Sequence, residues 1–361
     1  YEAQEQDHAA RGALQAEAVW SAAYSEANIA LRLCALALLV IVMSCFIYFP
    51  VSALNVFGLT LSLVIITVAL LRFIGCGHAL LRQPDRSPAL KHYPAYTVLV
   101  PMRDEANMVR ALMCHLSKLD YPQHKLEIFM ICEADDLATT REVQRYLRPP
   151  FKCIIVPTSL PATKPKALNV AMQQAKGEII TIYDAEDRPH PDQLKQAARA
   201  LMGPKNLSAV QAPLSYFNPH QNWLTRQFTL EYDSLFQVWN PLLVWLGLPF
   251  PLGGTSNHIK RAALDAAGLW DPHNVTEDAD LSFRLSALGL KIGIIDLPTE
   301  EEALSDYPNW KRQRMRWQKG FIQSWAVHMR RPLRYGLRRA LALQVTLGMT
   351  LLAGFLHVPT V

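Results

Sequence analysis

Apolar positions fall along this chain in two rhythms. Leu33 to Phe49 is apolar apart from Ser44 and the weakly polar Cys and Tyr. Pro50, Ser52 and Asn55 interrupt the run, and Val56 to Leu71 is apolar again. With its flanks, each run approaches the roughly 20 residues that a helix needs to cross a bilayer. The linker is too short for a domain, so the pattern predicts a transmembrane helical hairpin over 28–72. The alternative is a buried hairpin in a soluble protein. A polar stretch ahead of the first run, and a second run directly behind it, argue against a cleaved signal peptide. A third run, Leu341 to Val361, follows "RRPLRYGLRR" and predicts a further span over 336–361, with more membrane helices expected after it.

From residue 96 short apolar runs alternate with helical patterns. "YTVLVPM" precedes "ANMVRALMCHLSKL", and "KLEIFMIC" precedes "LATTREVQRYL". "FKCIIVP" precedes "KPKALNVAMQQA", and "GEIITIYD" precedes "DQLKQAARALM". Runs that are apolar throughout predict strands covered on both faces. Their alternation with helices predicts a Rossmann-like α/β domain with a mostly parallel sheet, over 73–335. Two later stretches, 222–250 and 307–332, mix Trp, Phe and Leu with scattered charges, as helices at a headgroup boundary do. Helices packed on the soluble core are the other reading. Residues 1–27 are polar and read as a cytosolic tail.

Basic residues orient the spans. Arg32 precedes the first run, and Arg72, Arg82 and Arg86 follow the second. Arg330, Arg331, Arg334, Arg338 and Arg339 precede the third, and the hairpin loop has no basic residue. By the positive-inside rule the α/β domain is expected in the cytosol, on a multi-pass protein of the inner (plasma) membrane. The chain of 361 residues has a formal net charge of +5, which says little about partners. The basic residues sit at the membrane flanks instead of along one face, so nucleic acid is not an expected partner. Six scattered cysteines with no C-x-x-C pair suggest neither a disulfide framework nor a zinc site.

In open α/β sheets ligands bind beyond the carboxyl ends of the strands. That rule points at "PMRDEA", "CEADD" and "YDAEDRP". No G-x-G-x-x-G follows the first strand and no P-loop occurs, which removes the main support for a dehydrogenase or a P-loop enzyme. Asp184, Glu186 and Asp187 follow an apolar strand instead. Carboxylates so spaced can share Mg2+ or Mn2+, which take oxygen ligands and complete their shell with phosphates. A solvated acidic turn has the same composition. Glu133, Asp135 and Asp136 repeat the arrangement on another strand. Lys164 and Lys166 precede a helix whose N-terminus suits a diphosphate. Gly253 and Gly254, before Thr255 and Ser256, allow close backbone approach to a ligand. Glu277, Asp278 and Asp280 open a helical pattern after Thr276, as a general base or as acids complementing a capped helix.

Taken in order, these stretches resemble the family 2 glycosyltransferases over roughly 95–331. The resemblance rests on the E-A-D-D cluster, Asp184-Ala185-Glu186, Gly254-Thr255, Thr276-Glu277-Asp278, and Gln313-Arg314-Met315-Arg316-Trp317. The last two make the chain resemble the processive, cellulose synthase-like members. The resemblance implies a GT-A fold and a UDP-sugar donor, with UDP-glucose first. It implies Asp278 as the catalytic base. Glu133 or Asp135 would hold the uracil, and Lys166, Asp184 and Arg316 would bind the rest of the donor. Asp184 with Glu186 or Asp187 would hold the metal. Gly254, Thr255, Glu277, Gln313 and Trp317 would line the acceptor.

The expected activity is therefore an inverting transfer of sugar to a growing β-glycan polymer, with translocation through the bilayer and accessory export subunits as partners. Two alternatives stand beside it: a non-processive transferase acting on a polyprenyl-phosphate or lipid acceptor, and a membrane nucleotide-sensing subunit with a degenerate transferase domain.

Overall fold

The computed structural model describes residues 20–22, 29–83, 88–331, 333 and 336–353. The predicted tail, apart from 20–22, lies outside the described residues, as do Arg86, Arg334 and 354–361. The N-terminal apolar runs form α1 (Ile29–Tyr48) and α2 (Pro50–Leu81). Phe49 leaves the helical conformation, with φ −135° and ψ 58°, and Pro50 opens α2, because proline lacks the N–H that an uninterrupted helix would use. The rings of Phe46 and Phe57 meet at 6.4 Å across the break.

The α/β domain runs β1 (Tyr96–Met102), α3 (Val109–Leu116), β2 (Leu126–Glu133), α4 (Leu137–Tyr146), β3 (Phe151–Val156), α5 (Lys164–Met172) and β4 (Ile179–Ile182). It continues with β5 (Arg188–Pro189), α6 (Gln193–Met202), β6 (Leu207–Gln211) and β7 (Leu214–Tyr216). Next comes one helical run, α7 (Trp223–Asp233), a π-helical stretch Ser234–Trp239 and α8 (Asn240–Trp245). The chain then forms β8 (Asn257–Lys260), α9 (Arg261–Ala266), α10 (Glu277–Ala287), β9 (Lys291–Ile294), β10 (Thr299–Glu301), α11 (Tyr307–Met329) and α12 (Leu337–Leu343).

Seven strands form one sheet in the order β3-β2-β1-β4-β8-β6-β9. β3, β2, β1 and β4 are parallel, β8 is antiparallel to both neighbours, and β6 pairs with β9 in parallel. Cover on both faces accounts for the apolar runs of β1, β2 and β4, whereas β3, at the sheet edge, leaves Lys152 and Ile155 exposed. Val98, Val100, Ile128 and Met130 pack in one core with Leu112 of α3 and Leu194 of α6. The alternate positions Leu99, Phe129, Ile131 and Ile180 pack in the other with Leu168 of α5 and Leu281 of α10. A second sheet, β5-β10-β7, lies beside the strand ends.

Among the described residues one helix, Pro50–Leu81, is long and apolar enough to cross a membrane, and Leu36–Tyr48 is a shorter apolar helix. The sequence predicted three spans, so the multi-pass expectation narrows to one candidate. The third apolar run begins as protein-packed helix. Leu343 and Leu347 are buried on Phe283, with Phe321, Trp325 and Met329 against them. An apolar face reads the same in sequence whether lipid or protein covers it.

The C-terminal part of α2 docks on the run α7–α8. A Cβ added at Gly75 would lie 2.9 Å from Val238 Cγ1, so the glycine permits this approach. The rings of His78 and Trp245 lie 5.6 Å apart. Arg82, just past the helix, pairs with Asp296 of the domain. Trp223, Leu230, Trp245 and Leu246 remain exposed along the same run.

Candidate active site

Acidic side chains gather where the strands end. Glu105 comes from the loop after β1, Glu133 from the end of β2, Asp184, Glu186 and Asp187 from the turn after β4, Glu277 and Asp278 from the first turn of α10, and Glu301 from the end of β10. Lys164, the first residue of α5, sits among them. Its Nζ pairs with Asp184 and donates to the Gly254 carbonyl at 2.9 Å. Burial alone would lower its pKa, but Asp184 and Glu277 more than offset this and hold the ammonium firmly charged.

One ammonium cannot neutralise so many acids. Burial pushes Glu105 up to about 7, with Glu186 adding to the rise. Burial raises Glu186 above its ordinary value, and Asp184 adds to that. Burial likewise raises Glu277 and Asp278, and Glu301 is raised by burial and by Asp187. Glycine at 254 leaves room for Asp278, since a Cβ there would lie 3.4 Å from Asp278 Oδ2.

The structure separates the two lysines of "KPKALN". Lys166, expected at the diphosphate, is fully buried and does not reach Asp184. Its Nζ donates to the carbonyls of Pro157 and Ser159 at 3.0 and 3.2 Å and lies 3.8 Å from Glu133. The reason is helical geometry: two residues apart on α5 point to different sides. Asn169 of the same motif is also structural, exchanging hydrogen bonds of 2.8 and 3.2 Å with the backbone of Trp270.

Other expected residues also serve as supports. Asp187 is fully buried and accepts from the Asp184 amide at 2.8 Å and from the Thr255 hydroxyl. Both bonds fall on Oδ2 and brace the β4 turn, while Oδ1 is buried with no partner among the described residues. Thr255, expected at the acceptor, is buried and donates inward. Asp136 caps α4 and accepts from the Asp104 amide at 2.7 Å, fixing the loop that carries Glu105. Asp135 is exposed and pairs with Arg103 at 3.3 Å. Glu133 is buried, and burial raises its pKa despite Lys166.

Gln313, Arg316, Trp317 and Gly320 all lie on α11. Gln313 Oε1 is buried and has no partner among the described residues. Arg316 is exposed. Trp317, expected as a stacking face for sugar, packs instead on Phe228 at 6.1 Å, with the Arg314 guanidinium 4.8 Å from its ring centre. Arg314 forms two 2.5 Å bonds to Glu231. The aromatic residues thus hold α11 to α7. At Gly320 the helix meets the turn before Glu277 so closely that a Cβ would lie 2.4 Å from Thr276 Cγ2.

Sequence reasoning missed Glu105, Glu301 and the central position of Lys164. Glu105 stood in a strand-end stretch that the topology rule already pointed to. Glu301 lies in the run "TEEEAL", and nothing in a run of three acids marks which one turns inward.

Comparisons with known proteins agree with this geometry. The sequence model described as "Glycosyl transferase family group 2" matches residues 179–360, half of the chain, and that of "Glycosyl transferase family 2" matches 97–254. A beta-monoglucosyldiacylglycerol synthase of Synechocystis sp. is 28% identical over 246 residues, covering 66% of this chain and 50% of that protein. "Probable glycosyltransferase YdaM" of Bacillus subtilis is 27% identical over 236 residues, covering 64% of this chain and 56% of that protein. The chain therefore spans about half the length of the curated relatives it matches. Mannosyltransferase PcManGT from Pyrobaculum calidifontis, solved in complex with GDP-Man and Mn2+, superposes with a TM-score of 0.59 at 22% identity. That likeness covers 78% of this chain and 76% of the mannosyltransferase, and it is one of fold. With a GT-A-type mixed sheet, acids at its strand ends and half of its length matched by the family's sequence model, this chain belongs to the family 2 glycosyltransferases.

Proposed function

We propose that this chain is the catalytic part of a membrane-bound, inverting glycosyltransferase that moves a sugar from a UDP-sugar, with glucose first, to a hydroxyl group of a membrane lipid. One observation carries the lipid acceptor. The run α7–α8 meets Glu301 midway, at Tyr232, and its following half, from Val238 to Trp245, docks on the apolar helix α2. This arrangement supports an acceptor drawn from a bilayer. Relatives named as monoglucosyldiacylglycerol synthases support the same acceptor class.

The donor set fits a hard divalent cation. Asp184 and Glu186 offer carboxylate oxygens, and Glu105 beside them has a buried Oε2 with no partner among the described residues. Mg2+ or Mn2+ bound by Asp184 and Glu186 would neutralise charge on the leaving diphosphate. Asp278 would take the proton of the attacking lipid hydroxyl, and burial makes its carboxylate a stronger base than an exposed aspartate. Lys164, and Arg316 on α11, would stabilise the diphosphate as it gains charge. Attack opposite the leaving group turns an α-linked donor into a β-glycoside. Glu133, with Lys166 behind it, is the better placed of the two acids proposed for the uracil, since Asp135 is turned to Arg103.

A second reading, the processive β-glycan synthase, is supported by the Q-R-M-R-W sequence on α11. Purified protein supplied with UDP-glucose and diacylglycerol separates the two. A single glycolipid product supports the first reading, and long polymer without added lipid overturns it.

A further inference from the structure

Two residues past Asp278, α10 carries a buried charge that the proposed chemistry does not use. Asp280 is fully buried and accepts from Arg284 Nε at 2.7 Å and from His328 Nε2 at 3.0 Å. Arg284 is itself fully buried, and its Nη1 donates to the carbonyls of Ala267 and Leu269. On its other side His328 meets Arg339 of α12, Nδ1 to Nη2, at 3.1 Å. His328 and Arg339 are also buried.

The partners fix the state of the imidazole. A guanidinium only donates, so Nδ1 accepts from Arg339. A carboxylate only accepts, so the ring proton sits on Nε2 and is donated to Asp280. His328 is therefore a neutral bridge between two charges of opposite sign, which agrees with the lowering of its pKa by burial. A neutral ring here carries both hydrogen bonds without adding charge to the interior.

The same face of α11 clamps the turn that leads into the acids. Gln323 accepts from the Val275 amide at 3.2 Å, and Ser324 bonds Thr276 and Asn274 at 3.2 Å each. His328 comes one turn further along and grips the helix itself. These contacts join three elements: α10 with Glu277 and Asp278, α11 with Gln313 and Arg316, and α12 at the start of the third apolar run. Nothing in the chemistry of Asp278 requires Arg339, which lies more than fifty residues later in the chain.

We propose that Asp280, His328 and Arg339 are positioning residues, a hydrogen-bonded linkage through which α12 holds the first turn of α10, and with it Asp278, in the geometry of proton transfer. The proposal rests on the reading of Asp278 as base. Its energetic logic is that a displacement of about 1 Å at a reacting group costs on the order of 100-fold in rate while leaving distant binding contacts intact. The linkage should therefore act on kcat and leave the donor's KM alone.

The test uses the full chain purified in detergent. Donor is whichever of UDP-glucose, UDP-galactose, UDP-N-acetylglucosamine and GDP-mannose the wild-type chain consumes, read by nucleotide release. Arg339→Met and His328→Leu are expected to lower kcat by about 10- to 100-fold with the donor KM within about twofold of wild type. His328→Gln is expected to keep most of the activity, because its amide both donates to Asp280 and accepts from Arg339. If His328→Leu fails to fold, His328→Asn replaces it, since its shorter amide keeps the bond to Arg339 and loses the one to Asp280. A kcat within twofold of wild type in Arg339→Met, a change confined to KM, or equal losses in the Gln and Asn variants overturns the linkage. Turnover retained in Asp278→Asn overturns the base assignment instead, and the two results are read independently.

Discussion

Lys164 and Asp184 form an ion pair at the centre of the carboxylate cluster, and the ammonium also holds the Gly254 carbonyl at 2.9 Å. Lys166, two residues along, is buried against Glu133 and the Pro157 and Ser159 carbonyls. The pair of lysines therefore divides labour, one facing the site and one holding the loop after β3.

That division predicts opposite phenotypes. Lys164→Met should lower kcat by about 100-fold, the loss of one preorganised charge at a developing anion, while the protein melts near the wild-type temperature. Lys166→Met should destabilise the fold by about 3 kcal/mol, because it strands Glu133 and two buried carbonyls. Nucleotide release and thermal melting, measured on both variants, check the pair. A stable, inactive Lys166→Met would reverse the assignment.

Gly320→Ala tests the contact between α11 and the turn before Glu277. The new Cβ would lie 2.4 Å from Thr276 Cγ2 and 2.7 Å from its Oγ1, so the helix or the turn has to shift. Overpacking of this kind costs about 1–3 kcal/mol. Because the displaced turn carries Asp278, kcat should fall more than the loss of stability accounts for. Ser at position 276, which removes the nearer methyl, should recover part of it in the double variant.

Divalent cation should matter to stability as well as to turnover. Glu105 sits at about 7 in the fold against an ordinary 4.5, so the folded chain binds more protons than the unfolded one between those values. Stability of the cation-free protein should therefore fall as pH rises from about 4.5 to 7. Glu186, also raised, adds to the same slope. Adding Mn2+ at pH 7.5 should raise the melting temperature, and Glu105→Gln should flatten the pH dependence of the cation-free protein. A melting temperature insensitive to Mn2+ would count against the proposed cation site.

His258 sets a slope of the opposite sign. It is fully buried on β8 with Nδ1 2.6 Å from the Tyr96 hydroxyl, and burial lowers its pKa to about 3. The unfolded chain takes up the proton near pH 6.5, so stability is lost as pH falls below that value, about 2 kcal/mol by pH 5. His328, lowered as well, contributes in the same direction. His258→Gln should reduce the acid slope in denaturant titrations at pH 5 and 7, and an unchanged slope would refute the burial argument.

Much of this molecule was legible in one dimension. The runs 96–102, 125–132 and 177–184 are legible as covered strands because both of their faces are apolar, whereas 151–157 carries the same signal and forms an edge strand with Lys152 and Ile155 exposed. The rule that ligands sit at the carboxyl ends of such strands points to the same acidic stretches that the fold gathers. Motif order was enough to suggest the family, since spacing between strand ends and catalytic turns survives where identity does not. What the sequence could not express was direction. Lys164 and Lys166 have the same composition and neighbours, and only the rotation of α5 assigns one to Asp184 and the other to Glu133. Asp187 and Thr255 bond each other inside the β4 turn, which no spacing rule shows, and Asp187 keeps a buried oxygen without a partner among the described residues. Trp317 has the type of a sugar platform, and only the fold sets it against Phe228 and Arg314. The third apolar run has the composition of a span, and only the fold shows Phe283 and α11 covering its first turns. In each case the sequence fixes chemical type and period, whereas which neighbour desolvates a group is decided only when distant segments meet.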